Sequence, residues 1–396
     1  MIVIKLIITG IIFILSTALL LPMAGCNGET EETESVATES NRWLEMLRIM
    51  PENEDTLTMA VIQTEGYVDI IREEYGEKLE EGAASPKLIA HNNIPLFAKT
   101  QYSDEEWRET FGFTINDVTE SIMAGNIPPD EYQAVRGNFT VEDIRYAAMN
   151  GPLNEYMEVK QYGGYEYYSW GEDRGIHMVW RSNVRNLGRG HRLAYVDGFA
   201  LWLIRTEGLE DMIDAYEGNI PSLADNEDYK LLAVELEKMN TDTALFSAKT
   251  MSITEFREIF REILEKLEQE GYDEQLEAFE NEPLLKPFSS FVTGAGQDER
   301  GSYLVIILLN EDEETAKENS DLLERRLKES IMYPYITNPS NDFKKWTDNE
   351  AVDGMEIDSE GRFTTAKLYG RVFITWDGLS RFNLFGSPYL PLLLHE

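Results

Sequence analysis

Cysteine is almost absent from this sequence of 396 residues, in which Cys26 is the only one. No disulfide can form within the chain, and a metal site built from several thiolates is excluded. The four histidines do not occur in the spacing of a zinc-binding helix, and the acidic residues do not form the spaced, glycine-containing loop that binds calcium. Motifs for a phosphate-binding loop and for a serine nucleophile elbow are also absent. The sequence therefore predicts no metal and no cofactor.

Positively charged residues are also scarce. Lys and Arg number 35 against 73 Asp and Glu, which gives a formal net charge of −38 at pH 7. A surface of this sign repels nucleic acids and disfavours broad contact with anionic lipid headgroups. Because the acids are spread along the chain, we interpret them as a well-solvated surface, and only secondarily as a sink for cations or basic partners. With 42% hydrophobic residues, the chain still has ample material for a folded core.

The N-terminal segment has the layout of an export signal. After Lys5, residues 6–25 carry no charge and most of them are apolar. The segment ends in Leu20–Cys26 (LLPMAGC), which resembles the lipobox cut by the lipoprotein signal peptidase, with Met23 where leucine is usual. The resemblance implies cleavage after Gly25 and attachment of lipid to the Cys26 thiol. An uncleaved membrane helix is one alternative, because ~20 uncharged residues can span a bilayer, and simple secretion is another.

The chain divides into four predicted regions. Residues 1–25 are the signal peptide, and residues 26–41 are acidic, rich in Thr and nearly free of bulky apolar side chains, so they form a disordered tether. Apolar periodicity then predicts an N-terminal α+β module over residues 42–240 and a C-terminal α+β module over residues 241–396. Both leading interpretations of the N-terminus place the two modules outside the cytoplasm, on the cell membrane or envelope.

The apolar pattern predicts an α+β fold, with antiparallel or mixed sheets packed against amphipathic helices. Strands are predicted at 56–63, 243–251, 288–292, 302–309, 363–367 and 370–376. Helices are predicted at 43–50, 67–79, 104–111, 115–124, 141–149, 207–217, 253–270 and 313–330. Residues 159–204, which include Ile176–Trp180, are predicted to form an antiparallel meander with a hairpin turn at Asp197-Gly198.

The two modules share a pattern that indicates an internal repeat. Both open with a strand and an amphipathic helix, and both end in a meander. The last strands of the two meanders read Arg192–Gly198 (RLAYVDG) and Arg371–Gly378 (RVFITWDG). A duplicated module explains this similarity, and chance similarity between hairpins is the alternative.

Several short motifs between residues 105 and 240 resemble an uncharacterised family of exported bacterial proteins. They include Tyr162–Glu166 (YGGYE), a DG hairpin within Tyr195–Ile204, an IDA helix at Met212–Tyr216, and Ser222–Asp225 (SLAD). The motifs have the character of turns, caps and strand starts. The resemblance implies an exported α+β domain without an assigned activity, and it transfers no active-site residue.

Aromatic residues mark the candidate binding surface. The run Tyr162–Trp170 is followed by Trp180, and aromatic rings offer flat faces to carbohydrates or peptides. The candidate surface comprises Tyr165, Tyr167, Trp170 and Trp180. The alternative is that alternating aromatic residues build the core of a sheet.

The sequence favours a membrane-anchored extracytoplasmic lipoprotein that binds or scaffolds a protein or glycan partner without catalysis, because no catalytic constellation is recognisable. A hydrolase with carboxylates drawn from distant segments is the first alternative, since such pairs leave no local motif. A solute-binding protein is the second, and it ranks lower because the chain shows meanders where those proteins have parallel βαβ units.

Overall fold

The computed structural model describes residues 41–75, 104–125, 132–182, 184, 188–248, 261, 264–281, 284–330, 345–348 and 352–370. These residues form an α+β fold, as predicted, in which one antiparallel sheet of twelve strands carries helices on both faces. Gly25, Cys26, tether residues 26–40 and the predicted strand at 371–376 lie outside the described residues. Asn41, predicted as the last residue of the disordered tether, is instead part of the fold, because its side chain caps the helix that begins at Arg42.

The described strands are numbered in chain order. They are β1 (Ala60–Thr64), β2 (Val118–Ala124), β3 (Tyr132–Gly137), β4 (Met157–Tyr162), β5 (Tyr165–Trp170), β6 (Arg192–Val196), β7 (Phe199–Leu203), β8 (Thr243–Ser247), β9 (Phe288–Asp298), β10 (Gly301–Asn310), β11 (Gly354–Glu360) and β12 (Phe363–Tyr369).

The described α-helices are interleaved with these strands. They are α1 (Arg42–Leu47), α2 (Glu54–Thr58), α3 (Gly66–Tyr75), α4 (Asp104–Phe111), α5 (Val141–Asn150), α6 (Thr206–Glu217), α7 (Glu227–Glu237), α8 (Asp273–Glu280) and α9 (Glu313–Glu329).

The strand order shows how the two halves of the chain meet. Across the sheet it is β11-β12-β10-β9-β8-β1-β2-β3-β7-β6-β5-β4, so each half occupies its own side. The halves join where β1 and β8 pair antiparallel, with Ile62 opposite Ala244. All described residues belong to one compact unit, and the division into two modules near residue 240 stays a prediction.

The topology of one half repeats that of the other. Reading outward from the junction, the first half runs β1-β2-β3-β7-β6 and the second runs β8-β9-β10-β12-β11. The two series extend from the junction to opposite sides of the sheet, and their first strands, β1 and β8, are antiparallel. The topological counterpart of the β6–β7 hairpin is β11–β12, whereas Arg371–Gly378, paired with it from sequence, lies outside the described residues.

Side-chain alternation divides the core between the two sheet faces. On β10, Val305 and Ile307 point into a large cluster shared by both halves and covered by α1, α6 and α7. Leu304 and Ile306 point to the opposite face, where α9 covers one cluster. A third cluster, under α4 and α5, lies on that same face in the first half.

Most predicted elements are confirmed. Helix α6 ends at Gly218, which adopts the left-handed conformation with φ of 76°. The hairpin turn at Asp197-Gly198 pairs Val196 with Phe199. The predicted helix at 253–270 lies largely outside the described residues, and residues 264–269 at its C-terminal end are helical.

The predicted helix at 115–124 is wrong, and so is part of the predicted strand at 56–63. Only Ile115–Asp117 form a single 3-10 turn, and the rest is β2, which is paired on both sides by β1 and β3. Pairing within the sheet overrides the weak local preference of this short segment. Residues 54–58 form α2, because the Asn53 side chain caps that turn, and the strand begins only at Ala60.

Candidate functional site

The connection between β5 and β6 extends their hairpin beyond the sheet. The Trp170 N–H donates to the His191 carbonyl at 2.9 Å, and the His177 N–H donates to the Gly188 carbonyl at 3.1 Å. A further antiparallel bridge joins Ile176 to Arg189. The described parts of the two arms therefore form a hydrogen-bonded ribbon.

Gly188 is required where the two arms approach most closely. Its φ is +62°, and a Cβ there would lie 1.8 Å from the His177 carbonyl oxygen. Both the backbone conformation and the contact exclude a side chain. The ribbon therefore depends on glycine at this position.

A buried arginine anchors the ribbon to the sheet. The side chain of Arg192 is 3% exposed and forms an ion pair with Asp173. Its guanidinium also donates to Thr206 Oγ1 at 2.9 Å, to the Trp170 carbonyl at 3.3 Å and to the Gly171 carbonyl at 3.0 Å. Burial lowers the pKa of Arg192, and the charge of Asp173 opposes that effect. Arg192 thus connects the first residues of the ribbon to the start of α6.

The end of the ribbon exposes apolar side chains. Val179 is 91% exposed, and Ile176 and Met178 are 54% and 55% exposed. We define the tip surface by six residues: Tyr156, Ile176, His177, Met178, Val179 and Trp180. Contiguous apolar surface of this kind on a folded protein is typical of an interaction site, whereas single exposed residues are ordinary.

Aromatic contacts hold the tip surface together. The rings of His177 and Trp180 stack with centroids 3.9 Å apart, and the rings of Trp180 and Tyr156 lie 5.1 Å apart. His177 Nε2 also lies 3.3 Å from Glu172 Oε2. Tyr156 immediately precedes β4, so the surface joins the ribbon to the edge of the sheet.

Exposed apolar side chains concentrate in this part of the molecule. Of the ten large apolar side chains that are exposed in the described residues, seven lie between Tyr146 and Val179. Residues 145–192 contain seven Lys or Arg against five Asp or Glu, a net charge of +2, while the rest of the chain carries −40. This region therefore holds most of the exposed large apolar side chains of the described residues, and it lacks the strong negative charge of the rest of the chain.

The structure separates the four residues predicted as a binding surface. Tyr165 and Tyr167 face α6, and Tyr167 is 3% exposed. Trp170 points to the opposite face, is 1% exposed, and stacks on His191 at 4.4 Å. Trp180 lies on the tip surface. Alternation along β5 places neighbouring aromatic residues on opposite faces of the sheet.

Tyrosines under α6 form a row of hydrogen bonds with its carboxylates. The pairs are Tyr167 Oη to Glu210 Oε1 at 3.2 Å, Tyr162 Oη to Asp214 Oδ2 at 2.6 Å, and Tyr165 Oη to Glu217 Oε1 at 2.6 Å. The acids recur at helical spacing and so share one face of α6. The row fastens α6 to β4 and β5.

These pairs keep the phenols protonated. The hydrogen bond to Asp214 raises the pKa of Tyr162 to about 12. Burial, followed by the hydrogen bond to Glu217, raises the pKa of Tyr165. A phenol that donates to a carboxylate loses its proton less readily, because ionisation would place two negative charges side by side. The row therefore acts as a set of structural contacts at neutral pH.

The internal cavities described here are small. One, lined by Phe111, Phe113 and Trp202, and another, lined by Val61 and Met123, each have a volume of about 10 Å³. Such a volume holds about one water molecule.

Metal-binding clusters and membrane-spanning helices are both absent from the described residues. No group of three or more His, Cys, Asp and Glu side chains stands close enough to hold a metal ion. No described helix has both the length and the apolar character to cross a bilayer.

Comparisons with known proteins show weak similarity. The sequence matches no protein-family model and no curated protein. Crystal forms I and III of TP0453, a Treponema protein, align with 85% and 83% of this chain and 97% and 95% of their own, at 9% and 8% identity, with TM-scores of 0.37 and 0.35. These scores are too low to transfer a fold or a function.

Of the tip surface, only Trp180 belongs to the candidate binding surface predicted from the sequence. Ile176–Trp180 was predicted as part of the meander, yet it is not a strand, since Met178–Trp180 form a 3-10 turn. The sequence does contain a signal for the tip surface. Glycines at 171, 175, 188 and 190 lie on both sides of a segment that mixes apolar residues with arginine. Glycine at both ends of an apolar run favours a turn that projects from the sheet.

Proposed function

We propose that this chain is a lipid-anchored extracytoplasmic protein that binds another component of the cell envelope through its tip surface. The observation that carries the proposal is the exposure of Ile176, Met178 and Val179 on a hydrogen-bonded ribbon. Exposed apolar side chains lose unfavourable contact with water when a partner covers them. The ribbon is held in place by Arg192, so little ordering is required on binding.

The charge distribution supports a protein or glycan partner at this surface. A net charge of −38 repels other acidic molecules from most of the chain, whereas residues 145–192 carry +2. An acidic partner therefore meets less repulsion at residues 145–192, which include the tip surface, than at the rest of the chain. The stacked rings of His177 and Trp180 offer a flat face for an aromatic side chain or a sugar ring.

The lipid anchor is proposed from Leu20–Cys26, whose small residues and thiol fit lipidation. Two or three acyl chains at ~0.8 kcal/mol for each buried methylene suffice for stable anchoring. By mass spectrometry, the N-terminal fragment of the native chain should begin at Cys26 and carry the added mass of the acyl chains, and the native chain should enter the detergent phase. The Cys26→Ser fragment should carry no acyl mass, because serine offers no thiol for the lipid. A native fragment without acyl mass would contradict the anchor.

Binding is tested by affinity capture from the native envelope with the full chain as bait. The variant Ile176→Ser/Met178→Ser/Val179→Ser should lose a partner that the native chain retains. A matched control, Leu231→Ser/Val234→Ser, removes apolar side chains that are 40% and 52% exposed on α7 and should retain that partner. Retention by both variants, or loss from both, would contradict the proposed surface.

A further inference from the structure

Strand β4 ends the sheet on the side of the first half. Among the described strands it pairs only with β5, so one row of its backbone donors and acceptors faces away from the sheet. Its side chains are accessible as well: Val159 is 45% exposed, and the side chains of Glu158 and Lys160 are 71% and 39% exposed. An open edge of this kind is a template for another strand.

The opposite edge of the sheet is protected against such pairing. Strand β11 carries Glu356, Asp358 and Glu360, which share one face because they alternate along the strand. Glu356 forms an ion pair with Arg300, so Asp358 and Glu360 carry the uncompensated negative charge of this face. A second acidic strand would bring like charges together there. Strand β4 differs, because Glu158 and Lys160 have opposite signs and lie 3.4 Å apart on the same face.

This arrangement of charges makes β4 complementary to itself. In an antiparallel pair of two β4 strands centred on Val159, each Glu158 lies opposite the Lys160 of the other strand, and the two Val159 residues face each other. Shifting the centre by one residue places Glu158 opposite Glu158, or Lys160 opposite Lys160. Only the register centred on Val159 forms a square of four alternating charges while keeping like charges apart.

We propose that β4 pairs antiparallel with β4 of a second copy of this chain, centred on Val159, and so joins two sheets into one. The proposed contact between two β4 strands resembles the β1–β8 contact, which is also an antiparallel strand pair and connects the two halves of the chain. The near-neutral charge of residues 145–192 permits the approach of a second chain that elsewhere carries strong negative charge. This inference is independent of the lipid anchor and of the partner at the tip surface.

The test uses disulfide trapping in the full chain. Opposed residues of an antiparallel pair have Cα atoms roughly 4.5–5.5 Å apart, within the range that a disulfide bridges. Under mild oxidation, Val159→Cys should form a covalent dimer. Asp358→Cys on the β11 edge is the matched control, and the native chain reports any dimer formed through Cys26. A dimer at 159 that is no more abundant than at 358 would overturn the proposal.

Charge reversal then tests the register in the Val159→Cys background. Glu158→Lys places four lysines in the square and Lys160→Glu places four glutamates, so each should weaken association roughly tenfold. The double variant Glu158→Lys/Lys160→Glu restores alternation and should dimerise as well as the parent. Mixing the two single variants should give a heterodimer. Equal trapping in all four cases would refute the register and the pairing.

Discussion

Removal of the buried Arg192 guanidinium should loosen the ribbon that presents the tip surface. Arg192→Met keeps an unbranched apolar side chain but loses the ion pair with Asp173 and three hydrogen bonds. Hydrogen bonds to a charged group contribute about 1.5–3 kcal/mol each when their loss leaves a buried partner unpaired. Asp173 is 45% exposed and regains water, so its share is discounted. We expect a net loss of about 3 kcal/mol.

The assay combines thermal unfolding with hydrogen exchange. A loss of about 3 kcal/mol lowers the Tm of a chain of this size by roughly 5–10 °C. The amide protons of His177 and Gly190, which donate across the ribbon, should exchange at least about tenfold faster. Arg181→Met is the matched control, since Arg181 is exposed on the same ribbon, and it should change neither quantity. Unchanged exchange in Arg192→Met would refute the anchoring role.

Three further predictions concern other parts of the structure. The pKa of Tyr162 is raised from near 10 to about 12, so between these values the folded state holds a proton that the unfolded state has lost. Stability should therefore fall as pH rises through this window, and in Asp214→Asn the absorbance of tyrosinate should appear at lower pH. Val179→Ser should change the free energy of unfolding by less than about 0.5 kcal/mol, because the side chain is 91% exposed, and a larger change in urea unfolding would show that the tip is a structural contact. Asn319→Leu should cost about 2–4 kcal/mol by calorimetry, because the buried Asn319 amide satisfies both the N–H and the carbonyl of Lys286, and an unchanged Tm would contradict this.

Local signals predicted α5 and α6 well, whereas α2, α7 and α8 were not predicted. The apolar stripe of α6 and the glycine after it define that helix, and Thr140 with Asp143 forms the capping box that starts α5. These features lie within a few residues of one another and act through nearby backbone groups. They can be recognised without knowledge of the rest of the fold.

Strand pairing was much less predictable. The β1–β8 junction joins residues about 180 positions apart, and nothing local in either strand selects that partner. The same reason explains the wrong helix at 115–124, since β2 acquires its conformation from strands on both sides.

The candidate site was predicted only in part for a related reason. Tyr165 and Tyr167 lie on the face of β5 that α6 covers, and Trp170 lies on the opposite face, in the cluster that α5 covers. Local sequence does not determine which helix covers which face. The aromatic content of the region could be recognised from sequence. The sequence did not reveal that these aromatic residues divide between two buried clusters and the exposed tip surface.

Photo-crosslinking in intact cells from a single reactive residue at position 179 tests directly whether the tip surface binds a partner. We expect an adduct between this chain and a different envelope component. No such adduct should form when the reactive residue is placed at position 231, which is also exposed and apolar but lies on α7. No adduct from position 179, an adduct with a second copy of the chain alone, or identical adducts from both positions would contradict a binding role for the tip surface.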